Sequence, residues 1–237
     1  TVLTLNVADP SASDSTSVVA DGDIVYGSAN RMYVTTSRWG QFSPASGVAP
    51  VSETLVHAFD ISAPDRAVYK VSGLVRGTAL NQFSLSEDEG YLRIATTDPN
   101  GGSESFVSVL ADRGQALVQV GQVGGLGKTE RIQAVRFIGK MAYVVTFRQT
   151  DPLYVVDVSD PTNPRVRGEL KILGYSAYLH PIGDNLLIGF GIDATEEGMR
   201  QGLAVSLFDV SDPSAPKRLQ HRSLGAGYSA AEFDHRA

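Results

Sequence analysis

Apolar residues in this chain come in short runs, and Gly, Pro, Asp and Ser interrupt them every few positions. Where polar residues alternate with apolar ones the period is two, the mark of a strand with one buried face. After Pro164 the set Arg165, Arg167, Glu169 and Lys171 alternates with Val166, Gly168, Leu170 and Ile172. That is the pattern of an outer strand whose charges resist pairing with another chain. No stretch carries a convincing 3.6-residue period, so the pattern predicts an all-β protein.

The pattern also repeats. Leu153-Tyr154-Val155-Val156-Asp157-Val158-Ser159-Asp160-Pro161 returns as Leu207-Phe208-Asp209-Val210-Ser211-Asp212-Pro213. Weaker copies are His57-Ala58-Phe59-Asp60-Ile61-Ser62-Ala63-Pro64, Leu5-Asn6-Val7-Ala8-Asp9-Pro10 and Ser108-Val109-Leu110-Ala111-Asp112. Each begins with β-branched and aromatic residues that suit a buried strand. Each ends in Asp, Ser or Pro, which start a turn by bonding nearby amides or by fixing φ; Ala111-Asp112 is the degenerate case. The equivalent positions Asn6, Asp60, Ala111, Asp157 and Asp209 are separated by 54, 51, 46 and 52 residues. A period near 50 with several short strands per repeat predicts the blades of a β-propeller.

The expectation is thus a propeller of four-stranded antiparallel blades, four of them whole and one divided or incomplete. Residues 1–20 supply outer strands of a partial blade, at 2–7 and near 17–20. Whole blades span 23–75, 79–123, 131–172 and 176–224, and 229–237 begin the inner strand of a further blade. Within the second blade the first strand is expected at 82–85, and within the third Gly139-Lys140 forms a two-residue hairpin turn. The connections between second and third strands, at 37–52, 97–104, 148–151 and 191–202, vary most in length. In a propeller they share one face, where binding specificity usually resides.

Composition narrows the function classes without naming one. A net charge of −6 disfavours nucleic acid and anionic membranes as partners. No apolar run is long enough to span a bilayer, and the absence of cysteine excludes disulfides, thiolate zinc sites and thiol catalysis. No motif requires a cofactor.

Candidate chemistry is sparse. Gly121 to Thr129 invites a phosphate-loop reading, but the spacing before Gly127-Lys128-Thr129 is wrong and a strand follows where the motif needs a helix. Gly174-Tyr175-Ser176 and Gly227-Tyr228-Ser229 lack the closing Gly of a nucleophile elbow. The four histidines, His57, His180, His221 and His235, have no metal-motif spacing. His180 and His235 fall on expected inner strands, where a metal or general base at the channel competes with a hydrogen-bonded His between blades. The acidic loops beginning at Asp98 and Asp193 lack the spacing of a calcium loop and read as solvated turns. The ligand-binding candidates are Trp39, Arg131, Arg148, Asp151 and His180. Arg131, Glu130, Arg148 and Asp151 should gather at one end of the channel, either to hold an anion or to pair with each other. Trp39 is either an exposed contact for protein or carbohydrate or a cover for the blade edge.

Several blocks together carry a family likeness: Asn81-Gln82-Phe83-Ser84-Leu85 with Gly90 to Thr97, Glu130-Arg131-Ile132 to Gly139, Tyr143 to Leu153, Tyr178-Leu179-His180-Pro181 and Ser206 to Pro213. In this order they resemble prokaryotic secreted proteins that carry a C-terminal β-propeller domain, distantly related to WD-type propellers. The resemblance implies a propeller in an extracellular or cell-surface setting and no known activity. Its members are longer than this chain, which implies that missing parts of the same protein supply further blades. The leading functional reading is a non-catalytic extracellular binding or scaffold domain whose partner is protein or carbohydrate. The alternatives are a hydrolase- or lyase-like enzyme with a metal or acid–base site at the channel mouth, and a purely structural module of a larger cell-surface protein.

Overall fold

The computed structural model describes residues 1–9, 11–39, 51–100, 102–147, 151–195, 199–227, 229–230 and 234. Its strands form one hairpin and four antiparallel sheets. The hairpin pairs β1 (Val2–Leu5) with β2 (Ser13–Thr16). The first blade is β3 (Ile24–Gly27), β4 (Arg31–Arg38), β5 (Glu53–Asp60) and β6 (Val68–Arg76). The second is β7 (Leu85–Asp88), β8 (Tyr91–Asp98), β9 (Glu104–Asp112) and β10 (Leu117–Leu126). The third is β11 (Arg131–Ile138), β12 (Met141–Phe147), β13 (Asp151–Asp157) and β14 (Arg165–Ile172). The fourth is β15 (Tyr175–Ile182), β16 (Leu186–Ala194), β17 (Arg200–Asp209) and β18 (Lys217–Gly225). In every blade spatial order follows chain order, the meander expected of a propeller.

The repeated aspartate has one geometric role. Asp60, Asp157 and Asp209 each pair with the first residue of the preceding strand, as does Ala111 in the second blade. Each carboxylate then accepts the backbone N–H two residues on, at 2.9 Å from Ser62, Ser159 and Ser211. This bond ends the strand and aims the chain into the turn. In the hairpin Asn6 accepts from the Ala8 N–H at 3.0 Å. In the second blade the role moves one residue, and Asp112 caps Gly114 at 2.8 Å.

The blades stack through three apolar cores. Tyr33, Val56 and Ala58 meet Leu92, Ile94 and Leu110 between first and second blades. Ala95 and Val107 meet Val144 and Val156 between second and third. Tyr143, Val145 and Val155 meet Leu187 and Phe208 between third and fourth. Each fully buried aliphatic side chain contributes roughly 1.5–3 kcal/mol. The middle strands β8, β9 and β12 are consequently buried on both faces. Strands β16 and β17 instead alternate buried and half-buried positions.

Glycine permits the outer strands to approach the next blade. A Cβ at Gly121 of β10 would stand 2.3 Å from the Pro161 carbonyl oxygen, and one at Gly168 of β14 would stand 2.6 Å from that of Pro213. Gly121 and Gly168 face Val109 and Val155, two residues before the repeat position in their blades. The equivalent place in the fourth blade, opposite Leu207, is Gln220. These glycines are thus docking positions for the next blade's Asp-Pro turn, whereas Gly139 serves its hairpin with φ +53°.

Two expected strands are displaced. Residues 82–85 were expected to open the second blade as a strand, but Gln82–Ser84 form a 3₁₀ turn and β7 begins at Leu85. Asn81 accepts from the Phe83 N–H at 3.0 Å while the Ser84 hydroxyl accepts from the Asn81 N–H at 3.4 Å. Such reciprocal bonds satisfy the backbone locally and displace a ladder. The strand expected near 17–20 lies instead at Ser13–Thr16, because the turn closed by Ala12 N–H to the Asp9 carbonyl, 3.0 Å, starts the ladder earlier. The inner strand expected over 229–237 falls largely outside the described residues. There the Asp234 N–H donates to the Ala230 carbonyl at 2.7 Å, a bond of helical spacing.

Candidate functional site

Strand direction puts the ends of β4, β8, β12 and β16 and the starts of β11, β13 and β15 at one end of the stacked blades. Trp39 follows β4 and is 67% exposed. Arg131 opens β11 opposite Phe147 and is exposed. Asp151 opens β13 opposite Ile172, its side chain outside the described atoms. Arg148 lies outside the described residues. His180 lies on inner strand β15, exposed, its Nδ1 3.2 Å from the Tyr178 hydroxyl.

Most polar groups at this end bind the blades to one another. Buried Asp98 accepts from Arg76 Nε at 2.8 Å and from the Asn100 N–H at 3.1 Å. Burial acts to raise its pKa, but these bonds outweigh it and hold the carboxyl below its usual range. Thr78 and Thr97 exchange two backbone bonds across the first blade junction, at 2.9 and 3.0 Å. The Ser103 hydroxyl donates to the Glu130 carbonyl at 2.6 Å, and the Thr146 hydroxyl donates to the Glu130 carboxylate at 2.5 Å. Asp98 and Glu130 are therefore pins between blades. Among the described residues no three acidic or histidine side chains form a metal-holding group.

The glycine-rich link belongs to the same frame. Its Gly125 N–H donates to the Glu104 carboxylate at 2.8 Å, and β11, a strand, follows. An amide already given to a carboxylate cannot cradle a phosphate, and that carboxylate would repel one.

A different arrangement occupies the inner strands. Arg136 on β11 donates through Nε to the Leu179 carbonyl of β15 at 2.9 Å. Its guanidinium carbon lies 3.9 Å from the Phe83 ring centre and 5.2 Å from that of Tyr178. The charge is thus held by a ring from the second blade and one from the fourth. Burial depresses its pKa, opposed by Tyr178, and Nη2 is buried without a hydrogen-bond partner. A cleft of about 290 Å³ opens beside it, lined by Tyr26, Gln82, Phe83, Leu85, Ser86 and Phe137.

A family model described as a beta propeller domain matches residues 1–237. The chain belongs to the β-propeller domain family. An uncharacterised protein of Methanocaldococcus jannaschii is 46% identical over 170 residues, covering 70% of this chain and 26% of that protein. Another, from Archaeoglobus fulgidus, is 39% identical over 201 residues, covering 85% of this chain and 30% of its own length. This propeller chain therefore spans less than a third of the length of these relatives. The crystal structure of Kluyvelomyces marxianus Hsv2 is similar at 10% identity and a TM-score of 0.37, over 91% of this chain and 77% of that one.

The propeller holds one polar array that local sequence patterns do not reveal. Ser206 Oγ is 3.1 Å from His221 Nδ1, and His221 Nε2 is 3.3 Å from Asp193 Oδ2. The three groups come from β17, β18 and β16, and the Ser206–His221 ladder pairing places the first two side by side. The set can share a proton, as a nucleophile, base and orienting acid do. Ser206 is only 6% exposed, however, and its face of the sheet carries Leu187 and Phe208 into the third blade. The hydroxyl consequently has no open side toward a substrate. Ser176, in the Gly174-Tyr175-Ser176 stretch that lacks an elbow's closing Gly, is likewise buried on β15.

Proposed function

We propose that this chain is a non-catalytic binding or scaffold segment of a larger propeller, completed by further blades of the same protein. The supporting observation is the one-sided burial of the fourth blade. Leu186, Ile188, Phe190, Val205 and Leu207 share its outer face and stay half-buried. None belongs to the three inter-blade cores. Blade faces of this composition are fully buried where a neighbour is present, and an apolar sheet face in water favours association. The length of the relatives agrees with additional blades. Gln220 marks a different fit at that junction, since no glycine there receives a neighbour's turn.

On this reading the pinned end of the stack is a rigid platform, and exposed Trp39 is a contact for a protein or carbohydrate partner. The likeness of its sequence blocks to secreted propeller proteins supports a setting outside the cytoplasm, which cell fractionation of the parent organism would check. No helix among the described residues is long and apolar enough to cross a membrane.

Sedimentation of residues 1–237 tests the open face. Concentration-dependent self-association is expected, and the double substitution Phe190→Ser, Leu207→Ser should reduce it. A monomeric wild type that binds no hydrophobic dye would overturn the proposal. Trp39 is the only tryptophan, so its fluorescence reports directly on any partner at the platform.

A further inference from the structure

We propose that the inner-strand cleft beside Arg136 binds a small carboxylate carried on a single flat, apolar ring. Three observations carry this inference. First, Arg136 has no carboxylate partner among the described residues, although its guanidinium is largely withdrawn from water. A desolvated cation without a counter-ion is costly, and stacking on Phe83 and Tyr178 offsets only part of that cost. The contrast is Arg93, the other cation of this region. It donates to the Gly139 carbonyl and the Ser86 hydroxyl, both at 2.6 Å, and lies 3.5 Å from Asp88. Each arginine keeps one buried nitrogen without a partner, Nε of Arg93 and Nη2 of Arg136, but Arg93 ties two blades together with a carboxylate beside it, whereas Arg136 has none among the described residues.

Second, the guanidinium is held in place before any ligand arrives. The Nε bond to Leu179 and the two rings fix its plane, so little side-chain freedom remains to be lost on binding. A fixed planar fork suits a carboxylate, which can accept two parallel bonds.

Third, the walls select the rest of the ligand. Tyr26, Phe83 and Phe137 supply ring surfaces, while Gln82 and Ser86 supply polar groups. At about 290 Å³ the cleft lies at the small end of ligand sites, which begin near roughly 300 Å³. One ring and its acid group fit within such a space, since a cavity of roughly 150 Å³ already holds a benzene ring. The nearby Glu87 carboxylate accepts from the Ser28 hydroxyl at 2.5 Å, so the adjacent acid is held by its own partner.

The experiment uses the purified chain and three probes: benzoate, its uncharged relative benzamide, and acetate, which has the charge without the ring. Calorimetric titration should show saturable binding of benzoate. Benzamide and acetate should each bind at least about tenfold more weakly, the scale of one lost charge-assisted bond or one lost stacking surface. Arg136→Gln should weaken benzoate to a similar degree, while Arg131→Gln at the exposed end of the same strand should not. Equal binding of benzoate and benzamide, unchanged benzoate binding by Arg136→Gln, or no saturable benzoate binding would each overturn the proposal. If Arg136→Gln fails to fold, the three probes on the wild-type chain decide alone.

Discussion

Replacing Gly121 by alanine tests how the blades are held against one another. Ordinarily such a change in a strand is helpful by about 0.5–1 kcal/mol, because alanine has less chain entropy to lose. Here the new methyl group would stand 2.3 Å from Pro161 O, 2.8 Å from Pro164 Cδ and 3.0 Å from Thr162 C. Two of these are backbone atoms of the next blade's turn and the third belongs to a proline ring, so no side-chain rotation can relieve the overlap. Either the turn moves outward or β10 bends, and overpacking of this kind costs roughly 1–3 kcal/mol. The expected net loss is about 1 kcal/mol, or a fall in melting temperature of roughly 2–4 °C for a chain of this size. Gly27→Ala is the control, since nothing lies within 4 Å of its Cβ direction in β3. Urea denaturation of both variants and the wild type, followed by circular dichroism, gives the comparison. Gly168→Ala should behave like Gly121→Ala, because its Cβ would stand 2.6 Å from Pro213 O. If Gly121→Ala proved as stable as Gly27→Ala, the close approach of outer strand to neighbouring turn would be wrong.

Three other outcomes are expected. Arg93→Met should cost about 2–3 kcal/mol in the same urea assay, since it leaves a carbonyl and a hydroxyl at the second blade junction without their charged donor; Lys140→Ala, whose bonds to Asp88 and Glu89 are at the surface, should leave stability nearly unchanged. His57 is buried beside Tyr69 with both ring nitrogens unpartnered, and burial holds its pKa below the ordinary value. Its neutral form therefore contributes stability that is complete above about pH 6.5 and is lost as pH falls below it, and His57→Phe should flatten that part of the stability profile. Asp157→Ala removes two charge-assisted bonds to Ser159 and should cost about 2 kcal/mol, more than Asp209→Ala. Burial opposes ionisation of Asp157, but Ser159, Arg165 and Arg167 outweigh it and hold its pKa low, so this contribution is present above about pH 3.9 and is lost as pH falls further.

Local chemistry by itself determined the strands, most of their turns and the repeat. Alternation identifies a strand without knowledge of its neighbour, and an Asp followed two residues later by an amide to bond ends that strand wherever it occurs. That is why the ends of β5, β13 and β17 could be read at Asp60, Asp157 and Asp209, and why even the degenerate Ala111 was recognisable by its spacing. One exception, the 3₁₀ turn at Gln82–Ser84, arose where Asn81 and Ser84 bond the backbone as effectively as a ladder does; the other is the early strand at Ser13–Thr16. What the tertiary structure decided was everything that depends on the stagger between blades. Arg76 finds Asp98, and Arg136 lies between Phe83 and Tyr178, because rigid sheets bring together positions more than 20 residues apart. Ser206, His221 and Asp193 meet through ladder register, which no local spacing encodes. The glycines separate the two levels most clearly. In the sequence Gly139 is legible as a hairpin turn, whereas Gly121 is only a break in an apolar run. That Gly121 admits a neighbouring blade depends on the atoms that stand opposite it, which only the packed fold supplies.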